Sequence, residues 1–296
     1  MMGDRYIEVP GRRFFVREWG PDGGIPVLAL HGWRDNCASF DFLAPRLVAG
    51  NPALRVVAPD LAGHGKTDFR SPDAAYNIWS DVAELIALVD ALEWPRFHLV
   101  GHSRGAAIAT LIAASHRDRV ITLSLLDNFL PLPEDPASAA VQLAKSVVDK
   151  CRLLAKTPRY YDDFREAVQA RLSGPLALPE DAALALAEQG VASDREGYYW
   201  RLDARLLGAS EFKLSRDHIA GIVAGLKCPV EILLGRESTL GHHDYVRRLA
   251  AGYGHIRVSV LPGGHHLHMD HGLVHVTDAI LATLAQDQSR SAGILR

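Results

Sequence analysis

The run Gly101-His102-Ser103-Arg104-Gly105 constrains this chain more than any other feature, because it follows an apolar segment at 97–100 and precedes a helix-forming stretch at 106–114. A serine between two such glycines, with a strand before it and a helix after it, implies a very sharp backbone turn. Side chains at the flanking positions would collide there, so glycine is wanted on both sides. The turn lifts the Ser103 hydroxyl above a sheet edge. It also stands at a helix N-terminus, where free amides and the helix dipole favour a developing negative charge.

The rest of the chain supplies the sheet that this turn needs. Residues 5–9 and 13–19 read as a hairpin turning at Pro10-Gly11. Continuous apolar runs at 25–30, 54–58, 97–100, 120–126, 230–234 and 256–261 have the character of strands buried on both faces. A long amphipathic helix is predicted over 76–93. The alternation argues for an α/β, doubly wound, mostly parallel sheet with helices on both faces.

Between 128 and 226 the rhythm stops, and helix-like stretches such as 137–154 and 181–189 replace the buried strands. An interval of that length is too long for a bare loop. It is expected to be a helical cap inserted into a core made of 1–127 and 227–296, lying over the carboxyl ends of the strands where such sheets bind ligands. Its aromatic clusters, 160–164 and 198–200, either line a pocket or pack the cap onto the core.

With 296 residues, 48% of them hydrophobic, and a net charge of -3, the chain is globular and gives no electrostatic reason to expect nucleic acid or an anionic membrane as partner. A small-molecule substrate is the simpler expectation. Cys37, Cys151 and Cys228 are odd in number and widely spaced, which indicates neither a disulfide framework nor a thiolate metal site. The expected setting is a reducing cytoplasm, since the start lacks the apolar core of a signal peptide and no stretch is long enough to span a membrane. Oligomeric state is not encoded in any pattern.

A serine hydroxyl needs a base, an orienting acid and an oxyanion hole before it becomes a nucleophile. The base is sought late in the chain, in Gly263-Gly264-His265-His266-Leu267-His268. His265, nearest the strand end, is the first choice, with His268 second and His266 third. The competing reading is a metal held by His265 and His268; no metal is the preferred expectation. For the acid, Asp127 ends the strand after the nucleophile helix, and Glu237 follows the penultimate strand; Asp127 is preferred because a short side chain on a rigid strand end fixes an imidazole better. His31-Gly32-Trp33 after the first parallel strand points to backbone amides of Trp33 and Arg104 as the oxyanion donors, leaving both side chains to shape a pocket. His31, Gly32, His102 and Trp200 are candidates for contact with substrate. The glycine turn at Asp60 and 63–65 is read as structural.

Together, His31-Gly32-Trp33, Asp60 with Gly63-His64-Gly65, Gly101-His102-Ser103-Arg104-Gly105 and the late Gly264-His265 resemble the α/β-hydrolase superfamily over nearly the whole chain. The run from His31 to Phe40, with Trp200-Arg201-Leu202-Asp203 and His265-His266-Leu267-His268, further resembles the serine hydrolase-like proteins, a carboxylesterase-like group. The resemblance implies ester hydrolysis by a serine triad without a cofactor. Glutamate stands at the usual acid position here, where the wider family has aspartate, so the third triad member stays open. Two alternatives keep the fold: the cofactor-independent ring-cleaving dioxygenases, which usually carry histidine where this chain has Arg104, and a non-catalytic ligand binder.

Overall fold

The computed structural model describes residues 2–293 apart from 175, 177 and 241. The chain opens with β1 (Met2–Val9) and β2 (Arg12–Trp19), an antiparallel hairpin in which Val9 faces Arg12 across the predicted turn. β3 (Ile25–Leu30), α1 (Leu43–Gly50), β4 (Leu54–Pro59), α2 (Ser80–Ala91), β5 (Phe97–His102), α3 (Arg104–Ser115) and β6 (Val120–Leu126) then alternate strand with helix. After an interval, α7 (Arg216–Gly225), β10 (Val230–Gly235), α8 (His243–Ala250), β11 (Ile256–Leu261) and α9 (Leu273–Gly293) close the fold. The sheet has eight strands in the order β1-β2-β4-β3-β5-β6-β10-β11, parallel from β4 to β11.

Strand periodicity sends neighbouring residues of each apolar run to opposite faces, which is why the runs are apolar throughout. Leu28, Leu30, Val57 and Leu99 join one core with Leu88, Ile108 and Ile112 of α2 and α3. Val27, Ala29, Val56 and Val100 join the other with Leu43 and Leu47 of α1 and Ile280 of α9. At about 1.5–3 kcal/mol for each fully buried large aliphatic side chain, these two layers hold the strand ends in place as a rigid platform. Among the described residues, no helix is long and apolar enough to cross a membrane.

Two expectations need correction. The helix read over 76–93 is shorter, because Tyr76 and Asn77 belong to the preceding loop, where the Tyr76 hydroxyl donates to Asp203 at 2.7 Å. The interval 128–226 is not purely helical. Besides α4 (Ala139–Leu154), α5 (Phe164–Leu172) and α6 (Glu180–Gly190), it holds β7 (Tyr160–Tyr161), β8 (Val191–Asp194) and β9 (Gly197–Trp200), a small antiparallel sheet of its own. Those strands are two to four residues long and half-exposed, so they leave no continuous apolar run to read. The interval is tied to the loops after β3 and β4: Asn36 donates to the Leu186 carbonyl at 2.8 Å, Gln189 to Asp60 at 3.0 Å, and His64 bridges to Leu202.

Candidate active site

The carboxyl ends of β5, β6, β10 and β11 bring Ser103, His265 and Asp127 together. Ser103 stands one residue past β5 with φ +51°, in the left-handed region that a non-glycine residue seldom occupies. Its neighbours explain how the turn is possible. A Cβ on Gly101 would lie 2.6 Å from the Gly105 carbonyl oxygen, and one on Gly105 would lie 2.1 Å from that of Leu30. Asp127, one residue past β6, also has a positive φ of 48°, a conformation in which aspartate is better tolerated than most residues.

His265 lies between them. Its Nε2 is 3.0 Å from Ser103 Oγ, and its Nδ1 is 2.7 Å from Asp127 Oδ2. With Nδ1 donating to the carboxylate, Nε2 is left as the acceptor of the serine proton. Asp127 is itself aimed: the Gly235 N–H donates to Oδ1 at 2.9 Å and the Ser238 hydroxyl to Oδ2 at 2.5 Å. Burial lowers the His265 pKa below its ordinary value, while the hydrogen bond to Asp127 opposes that shift. The imidazole is therefore neutral, and able to accept a proton, at pH 7.

The other candidates have different surroundings. Glu237 accepts from the Gly263 N–H and lies 3.6 Å from His271, away from His265. His268 faces the Ser39 hydroxyl at 2.7 Å, and His266 faces Asp35 at 3.3 Å, so His265 and His268 do not converge on one point. His31 and His102, candidates for contact with substrate, lie inside the protein. Both are fully buried. His31 is committed to the Gly32 carbonyl and the Leu61 N–H, each at 2.8 Å. His102 donates from Nε2 to the His265 carbonyl at 2.9 Å, holding the backbone of the histidine loop. Gly32 is pressed against the same cluster, where a Cβ would sit 2.8 Å from His102 Nδ1.

The Trp33 and Arg104 side chains are also less free than expected. The Trp33 indole donates to the Leu206 carbonyl at 3.0 Å, and the Arg104 guanidinium is paired with Asp81 at 2.8 Å. Arg104 opens α3, so its N–H is one of those a helix leaves without an internal carbonyl. At Arg34 the chain turns with φ +65° and donates its own N–H to His64 at 3.2 Å, directly after Trp33.

Sequence reasoning missed Asp35 and Arg171. The Asp35 carboxylate is buried between Arg171 of α5 at 2.8 Å, His266 at 3.3 Å and His102 at 3.5 Å. Burial alone would raise its pKa, but the two histidines and Arg171 outweigh it and hold the group well below the usual carboxylate range. The donor atoms of Asp35, His102 and His266 all lie within 4.8 Å of one another, a spacing a metal ion could use. Arg171 already places a cation there, 3.5 Å from His266 Nε2. Proximity of Asp35 to the His31-Gly32-Trp33 motif was the one available signal, and nothing in the sequence pointed to Arg171.

A cavity of about 270 Å³ opens beside this cluster, between the loop at 34–36 and the inserted segment. Trp200 and Tyr161 line it, so part of both aromatic clusters faces a pocket. Trp200 is also a packing residue, since its indole donates to the Ala167 carbonyl at 3.1 Å. Ser103 and His265 are not in the cavity wall, whereas Asp35 is, 3.3 Å from His266.

Sheet order, the turn at Ser103 and the late histidine together define an α/β hydrolase. Residues 25–272 match the family described as alpha/beta hydrolase fold, and the chain belongs to that family. It is 27% identical over 293 residues to a serine hydrolase-like protein of Danio rerio, covering 96% of this chain and 88% of that one. It is 31% identical over 204 residues to the lipase LipV of Mycobacterium tuberculosis, covering 68% and 71%. Among solved structures, the hypothetical protein PA1622 from Pseudomonas aeruginosa PAO1 superposes with a TM-score of 0.90 at 34% identity, covering 95% of this chain and 99% of that one.

Proposed function

We propose that this hydrolase cleaves carboxylic esters of a small molecule through a Ser103-His265-Asp127 triad and an acyl-enzyme. The observation that carries the reading is the continuous hydrogen-bonded line from Ser103 Oγ through both nitrogens of His265 to Asp127. Ser103 Oγ attacks the ester carbonyl carbon as His265 Nε2 takes its proton. Asp127 holds the Nδ1–H tautomer and stabilises the imidazolium that forms. The negative charge on the carbonyl oxygen is met by the backbone N–H groups of Trp33 and Arg104, the latter reinforced by the N-terminal end of α3. His265 then returns the proton to the departing alkoxide. In the second half, it draws a proton from water as the water attacks the acyl carbon, and Ser103 leaves with that proton. No step calls for a cofactor.

Similarity to a lipase supports an ester as substrate. Serine, rather than aspartate, at the turn argues against chemistry that needs a carboxylate nucleophile. The reading is tested by treating the protein with a fluorophosphonate and weighing it intact. One adduct is expected on the native chain and none on Ser103→Ala or His265→Ala. A folded native chain that takes no adduct would sink the proposal and turn attention to the dioxygenase or binding alternatives.

A further inference from the structure

The cavity beside the Asp35 cluster has an unbalanced charge. Arg34, Lys156, Arg159 and Arg201 all line it, and none of these four side chains has a carboxylate or carbonyl partner among the described residues. Arg171, a fifth cation in the wall, is spent on Asp35, and Asp35 is the one acidic residue lining the cavity among those described. Some arginines elsewhere are paired, as Arg12, Arg17, Arg55, Arg70, Arg119 and Arg205 each hold a carboxylate within 3.0 Å, while others on the surface, such as Arg46, Arg117 and Arg248, have no ion pair among the described residues. What sets the cavity apart, in a protein of net charge -3, is that four such cations share one wall whose single described carboxylate is already paired.

Arg34, Lys156 and Arg159 are exposed, and two of the four cations are steadied by a neighbouring ring. The Arg34 guanidinium lies 5.5 Å from the Trp33 ring centroid and that of Arg159 lies 4.9 Å from the Tyr161 centroid, stacking that leaves their N–H edges available. Partial desolvation, and after it the like charge of Arg171, lowers the Arg34 pKa against the opposing effect of Tyr161 and Asp35. Tyr161, Trp200 and Leu202 supply an apolar wall. Guanidinium forks match carboxylate and phosphate oxygens in a bidentate way.

We propose that this cavity receives the anionic end, a carboxylate or a phosphate, of the substrate whose ester bond is cut at Ser103. The assignment rests on the hydrolase reading above. What joins the two places is the loop after β3: Trp33 supplies an oxyanion amide and the next residue, Arg34, reaches the cavity. Asp35, in the cavity wall, is 3.3 Å from His266, the immediate neighbour of His265.

The test compares p-nitrophenyl half-esters of dicarboxylic acids of increasing length with neutral p-nitrophenyl esters of matched length. At a preferred length, kcat/KM should favour the carboxylate-bearing ester. The Lys156→Ala/Arg159→Ala double variant should cut that preference by about tenfold, mainly through KM, as expected for loss of charge-assisted contacts. A preference for the neutral ester at every length, or a preference untouched by the double variant, would overturn the proposal.

A second measurement does not depend on turnover. Titration with inorganic phosphate should give a saturable fluorescence change that Trp200→Phe abolishes and the double variant weakens. Phosphate should also compete with the carboxylate-bearing ester. Fluorophosphonate labelling of Ser103 without phosphate binding defeats the cavity assignment and leaves the hydrolase standing. Phosphate binding without any ester turnover defeats the hydrolase, and with it the assignment of the anion to a substrate. Phosphate binding that changes kcat for neutral esters, with no carboxylate preference, would make the anion a free effector and overturn the proposal.

Discussion

Asp127 and Asp35 are both buried carboxylates facing histidines of the same loop, yet their surroundings are opposite. Asp127 is held by a backbone N–H, a hydroxyl and His265, with no guanidinium or ammonium group paired to it among the described residues. Asp35 is neutralised by Arg171 and flanked by His266 and His102. A carboxylate that must stabilise a transient imidazolium has to keep its charge available, whereas one that fastens two segments together is best cancelled outright. Under the proposed mechanism, the contrast separates a reacting group from a fastening group where residue type alone does not.

The largest expected effect tests the first half of that contrast. Asp127→Asn should retain the fold and lower kcat for an activated ester by about 10³–10⁴-fold, because the amide stabilises the wrong imidazole tautomer. Circular dichroism and steady-state assays measure the two parts separately. A loss below tenfold would remove Asp127 from the triad.

Next comes Arg171→Met, which leaves Asp35 buried without its cation and should cost about 3–5 kcal/mol in urea unfolding. Adding Asp35→Asn to the same chain should recover much of the loss, since the uncompensated charge goes with it. A cost for the single variant no larger than that of an exposed arginine would show that Asp35 does not need Arg171.

Acid should act in two stages. His31, His64, His102 and His268 are buried, and burial is the main cause lowering each pKa. Their folded values lie below the unfolded value of about 6.5, so the unfolded chain binds more protons below that pH. Stability is complete above pH ~6.5 and falls as the pH drops toward the folded values, by up to about 1.4 kcal/mol per pH unit for each imidazole. Asp35 behaves in the same sense at lower pH. Its folded pKa is depressed, so its contribution is present above the unfolded value of about 3.9 and is lost only as the pH falls further. Urea titrations from pH 8 to pH 5 measure the first stage, and a flat profile there would contradict it.

Glu237→Gln should have the smallest effect, within about twofold in kcat/KM, because its carboxylate serves the Gly263 N–H and not His265. A loss comparable to that of Asp127→Asn would exchange the two acids in the mechanism.

Much of the platform was legible because it obeys simple periodicities. The parallel strands are runs of apolar residues with two buried faces, and Gly101 and Gly105 mark a turn whose sterics exclude other residues. What could not be read depends on contacts between distant residues. Nothing local announces that Arg171 meets Asp35 or that Asn36 reaches the Leu186 carbonyl. Histidine surroundings were similarly opaque: only the structure shows that His31 is buried with both ring nitrogens paired and that His102 is buried against the His265 backbone. The short strands of the insertion escaped because half-exposed pairs such as Tyr160 and Tyr199 carry no distinctive period.

The cation that neutralises Asp35 has a consequence for how such a protein can diversify. Arg171 belongs to α5 of the inserted segment, while its carboxylate partner belongs to the loop that carries Trp33. Grafting a foreign insertion onto this core would strip the charge from beneath the histidine loop unless the newcomer brought an arginine to the same point. Exchangeable specificity and a sound core are thus inherited through one shared residue, and a chimera lacking it should fail in folding before it can fail in selectivity.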